Sequence, residues 1–376
     1  MQHYDVLIVG GGPAGSSCAW RLRNSGLDVA ILDKAHFPRD KVCAGWVTPA
    51  VMHMLQIDLE NYAERHVLQP ITGFRTSMME QPSVDTDYTE IVSYGIRRCE
   101  FDNYLLRRCG ARLHMNEALD TLERGSNGWV INGQYHATLL IGAGGHFCPV
   151  VRALDSKRTD GESVVAAREI EFQMSARQMQ QCNVNSQIPE LFFCKDLTGY
   201  GWIFRKGEYL NIGLGREDKH HLPAHLDAFF EFLKSRGKVP PDIDEKFKGH
   251  AYLLYGHTPR RMIGERVMFI GDAAGLAYPQ SGEGIRPAVE SGILAAETIL
   301  QLQGDYSLKA LKTYEAKIIE RYGPRSETRK SKRGLLPPAL KQRVAARLMR
   351  SRWFARHFII NRWFLHKQQS NLTISN

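Results

Sequence analysis

The chain has 376 residues, 43% hydrophobic and 24% charged, enough to bury one large core or two moderate ones, which excludes a disordered or fibrous protein. Its formal net charge of +9 is uneven, because no acidic residue follows Glu327 while basic residues continue from Arg329 to Lys367. Seven scattered cysteines without C-x-x-C spacing argue against a disulfide framework or a metal site, and no apolar run approaches the ~18 residues of a membrane span, so a cytoplasmic location is expected.

The first predicted element is an apolar strand, Val6 to Val9, running into Gly10-x-Gly12-x-x-Gly15 and a helix from about Pro13. Glycines at this spacing let the backbone turn tightly, approach a pyrophosphate and pack the helix on the sheet. Pro13 suits the first helical turn, Ala14 keeps it small, and the free N–H groups there favour a phosphate. A second strand, Asp28 to Leu32, ends at Asp33, where a carboxylate can bind the hydroxyls of an adenosine ribose. These residues describe the adenine half of a dinucleotide cofactor without saying which one.

Further along, Arg98 to Gly110 reads as a helix and Leu139 to Gly142 as a short buried parallel strand. Between and after them lie β-rich pieces: Gly73 to Thr76, Val164 to Met174, Glu190 to Cys194, and a hairpin of Gly201 to Phe204 with Tyr209 to Leu214, turning near Lys206-Gly207. Leu222 to Gly237 reads as an amphipathic helix, and Tyr306 to Tyr322 as another. An apolar strand from Glu265 to Ile270 leads into Gly271-Asp272-Ala273-Ala274-Gly275. An aspartate in that position can bond the hydroxyls of a ribityl chain, which FAD has and nicotinamide dinucleotides lack. Gly282-x-Gly284 then opens a helix at Ile285 whose amide groups can face the electron-rich end of an isoalloxazine. The cofactor expected is FAD.

With these motifs in place, the chain resembles the FAD oxidoreductases built like p-hydroxybenzoate hydroxylase, and within them the geranylgeranyl reductase family. Besides the first and last motifs, Phe37-Pro38-Arg39-Asp40-Lys41-Val42-Cys43-Ala44-Gly45 resembles the family's Lys-x-Cys-Gly-Gly segment, which lies near the flavin, with Ala44 in place of a glycine. Tyr200-Gly201-Trp202-Ile203-Phe204-Arg205 resembles Tyr-x-Trp-x-Phe-Pro, with Arg205 in place of proline and Gly213-x-Gly215 following. Arg98 to Asp102 resembles a family Arg-x-x-Phe-Asp, and Gly142-Ala143-Gly144-Gly145 stands where relatives have Gly-Ala-Asp-Gly. The resemblance covers about residues 1–305. It implies an α/β protein in which a Rossmann-like FAD-binding domain (1–70, 95–150, 258–305) interleaves with an antiparallel-sheet substrate domain (71–94, 151–257), followed by a C-terminal helical basic region (306–376).

It also implies site residues. Lys41, Ala44 and Arg98 would join Gly10, Gly12, Pro13, Ala14, Gly15, Asp33, Gly271, Asp272, Gly282, Gly284 and Ile285 at the cofactor. Tyr200, Trp202 and Phe204, on one face of a strand, would line an apolar substrate pocket or serve as ordinary core. Cys43 would supply a proton beside the flavin or act as a small buried filler. His146 and His257 read as loop residues. The activity implied is hydride transfer from reduced FAD to a C=C bond of an apolar, isoprenoid-like substrate, with NAD(P)H or a ferredoxin as outside reductant. Two other readings share the scaffold: an FAD-dependent monooxygenase acting on an aromatic or other apolar small molecule, and an electron relay. In the tail, after Pro337-Pro338, Leu340, Val344 and Leu348 recur every four residues among arginines, followed by Trp353, Phe354, Phe358, Trp363 and Phe364. Such a segment suits either the surface of an anionic membrane or a helical cap with a solvated basic face; no nucleic-acid reader motif accompanies the charge.

Overall fold

A computed structural model describes residues 1–155, 164–217, 221–240, 242–243, 246–256, 260–325 and 337–372. His257 and the basic residues Arg329, Lys330, Lys332 and Arg333 lie outside the described residues. The chain forms two compact units, the first from Met1–Asp40, Cys99–Ser163 and Tyr252–Arg329, the second from Lys41–Arg98, Val164–Ala251 and Lys330–Asn376. These cuts differ from the domain limits given above. Residues 41–70 belong with the second unit because Trp46–Val47 and Leu68–Ile71 both pair with Ser93–Ile96, and the last region is shared between the units.

The first unit is a mostly parallel sheet. Gln2–Val9 is flanked by Tyr135–Gly142 and Val29–Asp33, and outside these run Val267–Phe269 and Arg112–Met115, all parallel. Val6, Leu7 and Ile8 are fully buried, as strands covered on both faces must be. The strand expected from Glu265 is shorter, Val267–Phe269, because Glu265 and Arg266 turn the chain back onto Ile263–Gly264, with Arg266 at φ +56°. The helices Pro13–Leu22 and Ile285–Leu302 cross closely: a Cβ on Gly292 would lie 2.3 Å from the carbonyl oxygen of Ala14.

The second unit is built on a seven-stranded sheet, ordered Lys248–Leu253, Val164–Gln173, Tyr209–Arg216, Gly199–Lys206, Glu190–Phe193, Gly73–Met78, Val84–Asp87. The expected hairpin is present, with Trp202 opposite Gly213 and Phe204 opposite Asn211. Period-2 alternation gives the sheet two different faces. Ile170, Phe172, Ile203, Leu210, Ile212 and Leu214 pack with Leu226, Phe229 and Leu233 of the helix Leu222–Ser235 into an apolar core. The opposite face carries Tyr200, Trp202, Phe204 and Lys206 together with Glu169, Glu171 and Asn211.

The tail divides into two parts. In the helix Pro338–Met349, Leu340, Val344 and Leu348 are 43%, 44% and 43% exposed. After Ser351 the chain winds with wider, π-type turns over Ala355–Phe364 and packs inward, burying Ile359, Ile360 and Phe364. Phe364 stacks on Trp46 with ring centroids 5.3 Å apart and meets Tyr200 edge-on at the same distance.

Candidate cofactor site

In the first unit, glycine-rich loops leave the carboxyl ends of parallel strands, the place where open α/β sheets take their ligands. Gly10 has φ +118°, and a Cβ there would lie 2.4 Å from the carbonyl oxygen of Ala143. On Gly15 a Cβ would lie 2.0 Å from the carbonyl oxygen of Gly10, so both glycines are required by backbone packing. Gly12 differs, since its Cβ position has only Arg39 Nη2 nearby, at 3.6 Å. That opening faces a helix start at Pro13 with no side-chain cap, which leaves first-turn N–H groups for a phosphate.

Asp33 holds this loop in shape. Its Oδ2 accepts from the Gly11 N–H at 2.7 Å and its Oδ1 from the Ala35 N–H at 2.9 Å, leaving the second lone pair of each oxygen for a hydroxyl. Arg39 is a residue that sequence pattern did not single out. It pairs with the fully buried Asp102 at 3.3 Å and lies over the Phe37 ring, and its buried Nη1 has no hydrogen-bond partner among the described residues. An orphaned guanidinium N–H beside an open glycine loop fits a pyrophosphate oxygen. The sequence signal was its place in the stretch 37–45 that resembles a family segment near the flavin, a stretch in which the pattern gave Arg39 no role of its own.

The second corner is braced from behind. Gly271, at φ +59°, donates its N–H to the buried Ser291 hydroxyl at 2.9 Å, and Tyr314 Oη donates to the Phe269 carbonyl at 3.1 Å. Arg325 donates to the carbonyls of Ala274, at 2.6 Å, and Arg260. Asp272 is thereby placed beside the start of the Ile285–Leu302 helix, with Oδ1 3.2 Å from where a Gly284 Cβ would be. Gly282, at φ +69°, leaves no room for a side chain, because Tyr252 Oη would be 2.3 Å away. A carboxylate next to an uncapped helix start provides an acceptor for ribityl hydroxyls and donors for the ring. His146, expected as a loop residue, is buried, and Arg260 donates to its carbonyl at 2.9 Å.

The same helix carries a buried ionic knot. Glu290 accepts from Arg286 at 2.8 Å, from Arg321 at 2.6 and 2.9 Å and from Tyr322 at 2.7 Å. Burial opposes its charge, but Arg321 and Arg286 overcome this and hold the carboxyl below its usual range. Glu283 has the opposite outcome, burial pushing it up to about 8 despite Arg286.

The remaining candidates belong to the second unit. Lys41 Nζ is 3.1 Å from both ring nitrogens of His250, and Arg98 begins the helix Arg98–Arg107. The Cys43 N–H donates to Glu169 Oε1 at 2.6 Å, and the Ala44 carbonyl accepts from Lys206 Nζ at 3.0 Å. Tyr200, Trp202 and Phe204 do share a face. Trp202 is buried, with its Nε1 bonded to Asn211 Oδ1 at 2.7 Å; Phe204 is fully buried, and Tyr200 half-buried.

Comparison with known proteins agrees with this geometry. An FAD binding domain family matches residues 3–321. The chain is 31% identical to the menaquinone reductase of Mycobacterium tuberculosis over 317 residues, 78% of this chain and 76% of that one. It is 28% identical to digeranylgeranylglycerophospholipid reductase 2 of Methanosphaera stadtmanae over 343 residues, 86% and 85% of the two chains. The structure of a geranylgeranyl bacteriochlorophyll reductase-like protein from Thermoplasma acidophilum superposes with a TM-score of 0.74 at 22% identity, covering 93% of this chain and 88% of the other, and so shares the fold. With two glycine corners, an arginine beside the first of them and an aspartate at a helix start all suited to one long dinucleotide, the chain belongs to the FAD-dependent oxidoreductases of the geranylgeranyl reductase family.

Proposed function

We propose that this protein saturates C=C bonds of an isoprenoid-like substrate, either a prenylated lipid or the side chain of a quinone. Bound FAD supplies the hydride chemistry, and the chain's own residues bind it, shape the guest site and manage the proton. In this reading Gly10, Gly12, Pro13, Ala14, Gly15, Asp33 and Arg39 hold the adenosine diphosphate half. Gly271, Asp272, Gly282, Gly284 and Ile285 hold the ribityl and ring half, with Lys41, Ala44 and Arg98 as further contacts. Tyr200, Trp202 and Phe204 provide an apolar wall. The reductant is NAD(P)H or a ferredoxin.

The observation that carries the substrate class is the division of the sheet in the second unit: one face is sealed by a helix, while the other combines three aromatic rings with a few buried polar groups, the composition of an apolar-ligand site. The names of the relatives support it, since they describe reductases of a polyprenyl lipid and of a prenylated quinone. Menaquinone and a digeranylgeranylglycerophospholipid, incubated anaerobically with the FAD-loaded protein and dithionite and with the quinone ring reoxidised in air before analysis, should show two added hydrogens for each saturated double bond by mass spectrometry. Oxygen-dependent gain of an oxygen atom would instead identify a monooxygenase.

The tail fits a water-insoluble guest. No described helix is long and apolar enough to cross a membrane. The Pro338–Met349 helix does present Leu340, Val344 and Leu348 to solvent, flanked by exposed Lys341, Arg343, Arg347 and Arg350. It would lie on an anionic lipid surface with its apolar stripe inserted.

A further inference from the structure

Cys43 and Ala44 lie over the polar part of the sheet and are held there by three side chains from three strands. Glu169 Oε1 accepts the Cys43 N–H at 2.6 Å, Asn211 Nδ2 reaches the Cys43 carbonyl at 3.5 Å, and fully buried Lys206 donates to the carbonyls of Ala44 and Ile96 at 3.0 and 2.9 Å. The two glutamates in this layer are not equivalent. Glu171 is paired with Lys206, with Arg97 at 3.4 Å and with Asn211 at 3.2 Å. Glu169 is 5% exposed, has one backbone donor on Oε1, and its Oε2 is buried with no hydrogen-bond partner among the described residues. The register places it in line with the wall: Glu169 is opposite Gly213, Gly213 is opposite Trp202, and a Cβ on Gly213 would lie 2.2 Å from the Trp202 ring.

We propose that Glu169 holds the transferable proton on this face and gives it to the substrate. A buried carboxyl with an unpartnered oxygen is costly as an anion, whereas as the neutral acid it presents a free O–H. Burial pushes Glu169 up to about 7, with the Cys43 N–H and Lys206 pulling the other way. The groups around it are Lys206, Glu171, Arg97, Arg98 and Cys43; the adjoining strand Tyr209–Arg216 contributes uncharged Asn211 and Gly213, and the edge strand Lys248–Leu253 carries Lys248 and His250, the latter engaged with Lys41. The proposal rests on the reductase reading above. Bound reduced FAD would supply the hydride for one alkene carbon and would be left oxidised. The π pair forms the other C–H bond with the Glu169 proton, the O–H bond breaks to leave a carboxylate, and water restores the acid.

Glu169→Gln separates this role from positioning, because the amide oxygen still accepts from the Cys43 N–H; Glu169→Ala removes both. The first measurement is infrared titration of the FAD-loaded protein labelled with 13C-glutamate. The difference between wild type and E169Q should contain a neutral carboxyl band titrating near pH 7, with the band of Glu283, expected near 8, common to both. The second is anaerobic saturation of the menaquinone side chain, counted after the ring is reoxidised, in which E169Q should lose about 100-fold in kcat with little change in KM. The wild-type rate should fall as pH rises above 7 and E169Q should lack that limb. Absence of the band, or E169Q matching wild type while E169A fails, overturns the proposal. A wild type that keeps the band but saturates neither menaquinone nor the digeranylgeranyl lipid sinks the reductase reading while sustaining the proton-holding role.

Discussion

Two buried glutamates, one in each unit, show how partners rather than burial decide what a carboxyl does. Glu290 in the first unit is closed in by Arg286, Arg321 and Tyr322 and stays ionised, fastening the Ile285–Leu302 helix to Leu308–Tyr322. Glu169 in the second unit is also buried, yet among the described residues it receives a single backbone N–H and leaves an oxygen unmet. The first arrangement is a fastening, because moving its charge would strand two guanidinium groups. The second costs stability when ionised, and such a cost is typical of a group kept for chemistry.

The sharpest way to break the contrast is to remove Glu290. Glu290→Ala leaves Arg286 and Arg321 buried without their counter-charge and should lower the unfolding free energy by about 3–5 kcal/mol, read by chemical denaturation. If the loss is below 1 kcal/mol, the knot is not a fastening.

Next comes the pH dependence of stability. Because the folded Glu169 takes up its proton near 7 and an unfolded glutamate near 4.5, the folded state binds more protons between those values. Its contribution is therefore fully present below about 4.5 and is lost as pH rises to about 7, a fall of about 3 kcal/mol. Glu283 adds a fall of its own up to about pH 8, so the informative quantity is the difference between wild type and E169Q, whose curve should lack the Glu169 part. Parallel curves would mean that Glu169 is ionised throughout.

Asp272→Ala should weaken FAD binding by about 10- to 100-fold in a fluorescence titration, the value of charge-assisted hydrogen bonds to a ligand, with the fold retained. An unchanged affinity would remove Asp272 from the cofactor's ribityl arm. The smallest effect is expected at the tail. Changing Leu340, Val344 and Leu348 to serine should reduce sedimentation with phosphatidylglycerol vesicles by about tenfold, and the weak binding to phosphatidylcholine should fall with it.

The two units were not equally legible in the sequence. Strand, glycine spacing and helix in residues 6–22 are local and period-bound, and Gly271-Asp272 follows an apolar strand, so the motifs announced themselves within a few residues. The common face of Tyr200, Trp202 and Phe204 followed from alternation alone. Glu169 did not, because Arg168-Glu169-Ile170-Glu171 reads as a strand with one wet side. Its burial depends on the Cys43 segment, 126 residues away, being laid over it. Arg39 was missed for the same reason: nothing near it in sequence shows that its guanidinium ends beside Gly12. Asp33 was found by pattern, but its grip on the Gly11 N–H is a product of the fold.

The ring stack between Phe364 and Trp46 makes the carboxyl-terminal stretch part of the aromatic wall rather than an appendage. A version of the protein shortened before Pro337, which removes the exposed Leu340, Val344 and Leu348 stripe, would also strip the edge from Tyr200 and Phe193 and leave Trp46 without its stacked partner. Such a truncation therefore cannot serve as a clean test of lipid attachment, since it would remove the exposed apolar stripe and disturb the aromatic face of the sheet in a single cut.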